Sequence, residues 1–187
     1  VTNLLGVSRL ELQESKPKIS LANLAPILRS VVKSFKEKAD KKNLDMIANI
    51  PESLTILADP GMMQVVFNNL LENALKYTNQ GKITVNAHED PIAIIISIRD
   101  TGIGIPENER SKIFEKFYRG RAPEVQNQDG VGIGLHITKR YVEQHGGTIT
   151  YEPLLEEKTD RKGRTVTKEI GSLFTVKITK RRGEVKA

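Results

Sequence analysis

The most informative stretch of this sequence is NNLLENALKYT, residues 68–78. It closes a predicted helix that begins after Asp59, because Asp59 is a favoured N-cap residue and Pro60 suits the first helical position. At about 100° per residue, apolar side chains such as Phe67 fill one sector of this helix and would face a sheet. Along the adjoining edge lie Asn69, Asn73, Lys76 and Tyr77.

This polar edge has the side chains of a metal–phosphate site. Amide oxygens bind hard cations, and Mg²⁺ takes one or two protein oxygens together with phosphates and water. A lysine beside the amides suits phosphate oxygens. Taken alone, the same edge is equally typical of the solvent-facing side of an ordinary helix.

A second stretch, DTGIGIP at residues 100–106, follows a predicted strand over residues 92–99. That strand is apolar at nearly every position, as buried central strands are. A carboxylate at its end can accept a hydrogen bond from an exocyclic amine, and Gly102 and Gly104 let the backbone approach a flat ligand. Because Asp-x-Gly is also a turn signature, this stretch alone leaves a simple turn open.

Two further stretches complete the pattern. GVGIGL, residues 130–135, opens a predicted helix, and glycine-rich backbone at a helix N-terminus presents unpaired N–H groups to a phosphate. It lacks the Gly-Lys-Ser/Thr ending of a P-loop and does not follow a strand as a dinucleotide fingerprint does. IFEKFYRG, residues 113–120, places aromatic residues before a polar segment with little to bury. Taken singly, both stretches are compatible with ordinary packing.

Composition excludes several classes of site. The chain of 187 residues has no cysteine, which excludes disulfides, thiolate metal sites and a cysteine nucleophile. No apolar run approaches the roughly 20 residues that a membrane helix needs. The net charge of +6 is spread along the chain, and its two denser runs, Lys33–Lys42 and Lys180–Arg182, are interpreted as a solvated helix face and tail, which disfavours nucleic acid as a partner and fits an anionic ligand. Because Val1 is not methionine, we expect a fragment of a longer protein.

The order of predicted elements favours an α+β layered sandwich, because helices and strands alternate irregularly. Besides the elements above, we predict helices over residues 23–42 and 132–145 and a short helical piece over residues 106–117. The charged stretch 156–169 is interpreted as a long hairpin arm or a mobile loop. Further strands are predicted over residues 19–21, 45–50, 55–58, 82–87, 148–154 and 172–179.

In this order and spacing, the four stretches resemble the histidine kinase branch of the ATPase superfamily that also includes gyrase, Hsp90 and MutL. Residues 68–78 look like the N box, residues 100–106 like the first glycine box, residues 113–120 like the F box and residues 130–135 like the second glycine box. The resemblance implies a Bergerat-type ATP-binding fold, a two-layer sandwich of helices on a mixed β-sheet.

The resemblance also implies a division of the chain. SRLELQES, residues 8–15, resembles the end of the second dimerisation helix in these kinases. Residues 1–16 would then be the end of the dimerisation and phosphotransfer hairpin. Residues 17–187 would form the catalytic ATP-binding domain.

The resemblance assigns roles residue by residue. Asn73 is the expected Mg²⁺ ligand, and Asp100 would take the adenine amino group of ATP. Asn69, Lys76 and Arg119 would form the catalytic set at the phosphates. In related ATPases a water-activating glutamate stands at the position of Asn69, and its absence suits a kinase whose nucleophile is an imidazole. The other nucleotide-binding residues would be Tyr77, Gly102, Gly104, Ile105, Lys116, Tyr118, Gly130, Val131, Gly132, Ile133, Gly134 and Leu135, with residues 119–130 forming an ATP lid.

The implied function is that of a two-component sensor histidine kinase. The γ-phosphoryl group of ATP would pass to a histidine on the protein's own dimerisation domain, and from there to the receiver domain of a response regulator. None of His88, His136 and His145 fits the role of phosphoacceptor, so the fragment would lack it. A homodimer of the intact protein and a cytoplasmic location are implied as well, with membrane anchoring of the parent left open.

Two rival functions remain open from the sequence. One is a serine kinase or hydrolytic ATPase of the same superfamily, which acid-stable phosphoserine would reveal. The other is a nucleotide-sensing module that binds ATP without efficient transfer.

Overall fold

The computed structural model describes residues 16–126, 130–159 and 165–180. The predicted end of a dimerisation helix, residues 1–16, lies outside the described residues except for Lys16. Helices and strands follow each other along the chain as β1 (Ser20–Asn23), α1 (Leu24–Lys41), β2 (Asp45–Asn49), β3 (Thr55–Ala58), α2 (Pro60–Tyr77), β4 (Lys82–Glu89), β5 (Ala93–Asp100), α3 (Glu107–Arg110), α4 (Pro123–Gln126), α5 (Gly134–Gln144), β6 (Gly147–Thr159) and β7 (Thr165–Thr179).

The main sheet has five strands in the order β2-β4-β5-β7-β6. Strands β2 and β4 run parallel, whereas the other neighbouring pairs are antiparallel, so the sheet is mixed. Strands β1 and β3 form a separate antiparallel pair. The buried residues of β5 alternate along most of the strand, and they share one apolar core with α1, α2 and α5. The predicted two-layer α+β sandwich is confirmed.

Helix α2 forms as its sequence predicts. The Asp59 side chain caps it by accepting a hydrogen bond from the backbone N–H of Met62 at 3.1 Å, and Pro60 occupies the first turn. Its buried side chains recur at helical spacing, so one face packs into the core. These buried residues are Met62, Met63, Val66, Phe67, Leu70, Leu71 and Ala74.

The helical piece predicted over residues 106–117 is wrong beyond its first turn. Helix α3 ends at Arg110, and the chain continues through turns whose backbone bonds span three residues, such as Glu115 N–H to the Lys112 carbonyl at 2.9 Å. Phe117 has a φ of 67°, a left-handed conformation that an α-helix does not contain. The short helix α4, within the predicted lid, was not predicted.

The charged stretch 156–169 is a hairpin arm in its described part. Strands β6 and β7 stay paired as far as Thr159 opposite Thr165. The register shifts between Leu154 and Leu155, where β7 skips Ile170.

None of the described helices combines the length and the apolar character needed to span a bilayer.

Candidate functional site

The predicted site residues surround one cleft of about 650 Å³. Its walls come from the edge of α2, the loop after β5, the segment around α4 and the N-terminus of α5. Two predicted residues, Gly102 and Lys116, do not line it. The predicted residues that do are Asn69, Asn73, Lys76, Tyr77, Asp100, Gly104, Ile105, Tyr118, Arg119, Gly130, Val131, Gly132, Ile133, Gly134 and Leu135.

Asp100 places a buried carboxylate at one end of the cleft. Asp100 is only 4% exposed. Burial raises the pKa of its carboxyl to about 6, although hydrogen bonds from Gly102 and Ser172 partly oppose the rise. The Gly102 N–H donates to Asp100 Oδ1 at 2.8 Å. A carboxylate held this way accepts a further hydrogen bond strongly once it is ionised, because the surroundings supply little solvation.

Gly102 acts beside the cleft rather than in its wall. A Cβ on Gly102 would lie 2.4 Å from the Tyr77 carbonyl oxygen, so only glycine fits between α2 and β5 there. Lys116 is exposed, and its ammonium lies 4.9 Å from the centroid of the Phe117 ring.

The Asn69 amide is held in one orientation at the opposite end. Its Nδ2 donates to the Gly134 carbonyl at 3.1 Å and to Thr138 Oγ1 at 3.3 Å, while the Thr138 hydroxyl donates to the same carbonyl at 2.9 Å. A carbonyl only accepts, so the amide nitrogen must face Gly134. This leaves Asn69 Oδ1 to act as the acceptor on the other side of the amide.

Lys76 and Tyr77 lie further along the same edge of α2. A Cβ on Gly130 would come within 3.2 Å of the Lys76 ammonium, so the second glycine-rich stretch lies against this cation. The Lys76 ammonium is also 5.5 Å from the centroid of the Tyr77 ring. Burial raises the pKa of the Tyr77 phenol, although the nearby Arg119 acts in the opposite direction.

The N-terminus of α5 presents backbone N–H groups to the cleft. No side chain among the described residues caps it, and the Ile137 N–H is bonded to the Ile133 carbonyl at 2.9 Å. The N–H groups of the first turn and the positive end of the helix dipole favour an anion there. Gly132, with a φ of 72°, lets the chain pass the Tyr118 carbonyl, which a Cβ would approach to 2.5 Å.

The segment before α5 is tied together by two charged side chains. Arg119 donates to the carbonyl oxygens of Val125 at 2.7 Å and Gln126 at 3.3 Å, at the end of α4. The buried Glu109 accepts from the Arg121 N–H at 3.2 Å, and the Tyr118 hydroxyl bonds to the same carboxylate. Burial and this carboxylate raise the pKa of Tyr118. Residues 127–129 of the predicted lid lie outside the described residues.

Sequence reasoning missed several residues that shape the site, among them Thr138, Glu109 and Ser172. Thr138 follows Gly134 by four residues and is fully buried in a helix, where a threonine hydroxyl commonly bonds the carbonyl one turn earlier. The four-residue spacing could therefore have indicated that the Thr138 hydroxyl bonds to the Gly134 carbonyl. Glu109 and Ser172 had no such signal, because their partners are set by the tertiary fold.

Comparisons with known proteins find relatives of this chain. The family model for the histidine kinase-, DNA gyrase B-, and HSP90-like ATPase matches residues 58–182. The hybrid signal transduction histidine kinase D of Dictyostelium discoideum is 35% identical over 80% of this chain and 10% of its own length. The sensor protein SrrB of Staphylococcus aureus is 30% identical over 85% of this chain and 27% of its own length. The chain therefore spans about a quarter or less of these curated relatives.

Solved structures of histidine kinases are also similar to this chain. The catalytic domain of histidine kinase ThkA superimposes with a TM-score of 0.69 at 28% identity, covering 87% of this chain and 98% of that one. Full-length ShkA in complex with AMPPNP has a TM-score of 0.69 at 26% identity, covering 94% of this chain and 34% of that one.

Proposed function

The chain belongs to the histidine kinase-, DNA gyrase B- and HSP90-like ATPases, and from that premise we propose that it uses ATP to phosphorylate a histidine. It is a catalytic domain of the type found in sensor histidine kinases. The proposal adds that ATP with Mg²⁺ binds in the cleft and that the γ-phosphoryl group passes to a histidine on a dimerisation domain. A response regulator then receives the phosphoryl group on an aspartate.

The observation that carries this proposal is the chemical difference between the two ends of the cleft. One end has the buried acceptor Asp100, which suits the exocyclic amine of adenine. The other has the uncapped N-terminus of α5 together with Lys76, which suits a chain of phosphates. A nucleoside triphosphate of adenine has the matching polarity along its length.

The side chains at the phosphate end fit a magnesium ion shared with the substrate. Asn73 would hold it through its amide oxygen, with Asn69 supporting the same end of the cleft, and such a small protein contribution is typical of Mg²⁺ bound with phosphates. When bound, the ion neutralises charge on the phosphate oxygens as the γ-phosphoryl group is transferred.

In the proposed reaction an imidazole nitrogen of the acceptor histidine bonds to the γ-phosphorus. The bond from that phosphorus to the oxygen bridging it to the β-phosphate breaks, and ADP leaves. Lys76 and Arg119 position and neutralise the phosphates. Asn69 cannot take a proton from water as a carboxylate would, and its bonds to Gly134 and Thr138 fix its amide, which supports transfer to imidazole over hydrolysis.

The remaining parts of the proposal concern the intact protein. We propose that residues 17–187 form the catalytic domain and that residues 1–16 are the C-terminal end of a dimerisation hairpin, which implies a homodimer. ThkA, 25% identical with a TM-score of 0.70, has been solved in complex with the response regulator protein TrrA, which supports a receiver domain as partner. That structure covers 98% of this chain, and this chain covers 49% of it. We also propose a cytoplasmic location for this domain, which the need for ATP supports.

A transfer assay tests the proposal. The purified chain is incubated with a dimerisation domain that carries a phosphoacceptor histidine, with Mg²⁺ and ATP labelled on the γ-phosphate. Acid-labile phosphohistidine is expected from the wild type, and Asn73→Ala should abolish it, whereas Asn79→Ala, in the exposed turn after α2, should not.

Three other outcomes would contradict the proposal and identify a rival. Acid-stable phosphoserine would indicate a serine kinase, and labelled inorganic phosphate without acceptor phosphorylation would indicate a hydrolytic ATPase. Tight nucleotide binding with no labelled product would indicate a nucleotide sensor.

A further inference from the structure

Glu169 is a charged residue of the hairpin arm that no motif includes, yet its side chain reaches the wall of the cleft. Strand β7 skips Ile170 in its pairing, so Gly171 lies opposite Leu154 and Glu169 opposite Leu155. A bulge of this kind turns the following side chains to the other face of the strand. Glu169 consequently lies on the same face as Ser172, toward the loop after β5.

The Glu169 carboxylate holds the backbone of that loop. Its Oε1 accepts from the Ile105 N–H at 2.9 Å and from the Tyr151 hydroxyl. Its Oε2 pairs with the Arg110 guanidinium at 2.8 Å, and Arg110 Nε donates to the Ile105 carbonyl at 3.0 Å. This ion pair therefore contacts both polar groups of Ile105, whose N–H also lies 3.1 Å from the Tyr151 hydroxyl oxygen.

The loop also packs closely on this carboxylate. Gly104 has a φ of 69°, and a Cβ there would lie 2.5 Å from Glu169 Oε1. The side chains of Arg110 and Glu169 are 29% and 20% exposed, so the pair is better shielded from water than a surface ion pair. The hairpin arm, the glycine loop (residues 101–106) and α3 therefore meet at the Glu169 carboxylate.

The glycine loop that Glu169 holds follows directly after Asp100 in the sequence. Ile103, Gly104 and Ile105 line the cleft, as does Phe174, whose ring centroid lies 5.3 Å from that of Tyr151. The contacts of Glu169 lie behind this wall rather than in the cleft. The phosphate end, at Asn69 and Gly134, is built from α2 and α5.

We propose that Glu169 is a positioning residue that sets the glycine loop of residues 101–106 against the base of the nucleotide. This inference rests on the proposed function, since it assumes that adenine lies beside Asp100. It assigns a role to the base of the hairpin arm: the arm shapes the base-binding end of the cleft and leaves the phosphate end unaffected.

The test compares two ligands on the same variants of the whole 187-residue chain. ADP with Mg²⁺ uses both ends of the cleft, whereas inorganic tripolyphosphate with Mg²⁺ has no base. Glu169→Ala should raise the Kd for ADP roughly five- to tenfold, as expected for loss of charged hydrogen bonds. Its Kd for tripolyphosphate should stay within about twofold of the wild type, within the spread expected of independent sites.

Two further variants sharpen the comparison. Glu169→Gln keeps an oxygen for the Ile105 N–H but loses the ion pair with Arg110, so its Kd for ADP should lie between those of the wild type and Glu169→Ala. Glu157→Ala removes an exposed carboxylate from the same arm and should change neither Kd. An equal loss of both ligands in Glu169→Ala would indicate general destabilisation and overturn the inference, as would an unchanged Kd for ADP.

A second measurement needs no nucleotide. Hydrogen exchange of the Ile105 amide, followed by NMR, should accelerate severalfold in Glu169→Ala, because the amide loses its carboxylate acceptor and keeps only the Tyr151 hydroxyl oxygen at 3.1 Å, a group that Glu169 itself holds. Exchange at the core residue Ile96 should not change. If the wild type bound no ADP, the proposed function would be wrong, and an Ile105 exchange rate in Glu169→Ala equal to that of the wild type would separately refute the positioning role.

Discussion

The two sides of the cleft are built in different ways. The regular wall consists of α2 and β5, and it supplies Asn69, Asn73, Lys76 and Asp100. The irregular wall, residues 101–126, contains only the short helices α3 and α4 and is tied by three charged side chains. Glu109 holds the segment around Arg121, Arg119 holds the end of α4, and Glu169 of the arm holds Ile105.

The two walls therefore differ in how easily they open. The regular wall shares its stability with the whole core, so its site residues are in place before any ligand arrives. The irregular wall depends on single charged hydrogen bonds, each contributing on the order of 1.5–3 kcal/mol. Such a segment can open locally without unfolding the sheet.

The largest expected effect compares two phenylalanines, one on each wall. Phe67 is fully buried in α2, whereas Phe117 is 53% exposed. Phe67→Ala should lower the free energy of unfolding by about 4 kcal/mol, because it leaves a core cavity. Phe117→Ala should lower it by less than about 1 kcal/mol. Urea denaturation measures both, and similar losses in the two variants would refute the division into walls.

The next effect concerns Asp100 itself. Asp100→Asn keeps the size of the side chain but removes the charge, and we expect the Kd for ADP to rise about a hundredfold, since a charge-assisted hydrogen bond of about 3 kcal/mol is lost. The free energy of unfolding at pH 8 should not fall, because an ionised carboxylate at this buried position is unfavourable. Calorimetric titration and urea denaturation measure the two quantities. A large loss of stability at unchanged affinity would reverse the expectation.

The raised pKa of Asp100 predicts that ADP affinity and the free energy of unfolding depend on pH with opposite signs. Its pKa is about 6 in the folded chain and 3.8 without the fold. Below pH 6 the carboxyl becomes protonated and loses the charge that strengthens its hydrogen bond from the amine, so ADP affinity should fall by up to about tenfold per pH unit. Tripolyphosphate, titrated in parallel, corrects for protonation of the phosphates.

The sign for stability follows from the same two pKa values. Between about pH 4 and 6 the folded chain holds a proton that the unfolded chain has released, so the contribution of Asp100 to stability falls as pH rises. The stability difference between Asp100→Asn and the wild type should therefore grow across this interval. A difference independent of pH would show that the pKa of Asp100 is not raised.

The two walls also differ in how far the sequence could predict them. The helix over residues 60–77 and the strand that ends in Asp100 were predictable, because burial of one face gives the helix an apolar period of 3.6 and because the strand is apolar at nearly every position. The polar edge of α2 followed from the same period. Local signals were sufficient on this side.

The irregular wall could not be predicted in the same way. The helix predicted over residues 106–117 ended at Arg110, where turns replace the i→i−4 pattern. Glu169 reaches Ile105 because β7 skips Ile170, and a single skipped residue leaves no mark in the hydrophobic pattern. Glu109 and Arg121 are likewise brought together by the path of the chain, so only the structure reveals them.

The smallest expected effect probes Glu109, the buried tie of the irregular wall. Glu109→Gln keeps an oxygen that can accept from the Arg121 N–H but removes its charge, and charged hydrogen bonds are about twice as strong as neutral ones. The segment around Arg121 should open more often, so limited trypsin cleavage after Arg121 should accelerate about threefold to fivefold, while the Kd for ADP rises no more than about threefold. Glu107→Gln, an exposed neighbour on the same helix, should change neither. If cleavage after Arg121 stayed at the wild-type rate, the irregular wall would not depend on its charged ties, and the contrast with the regular wall would have to rest on packing alone.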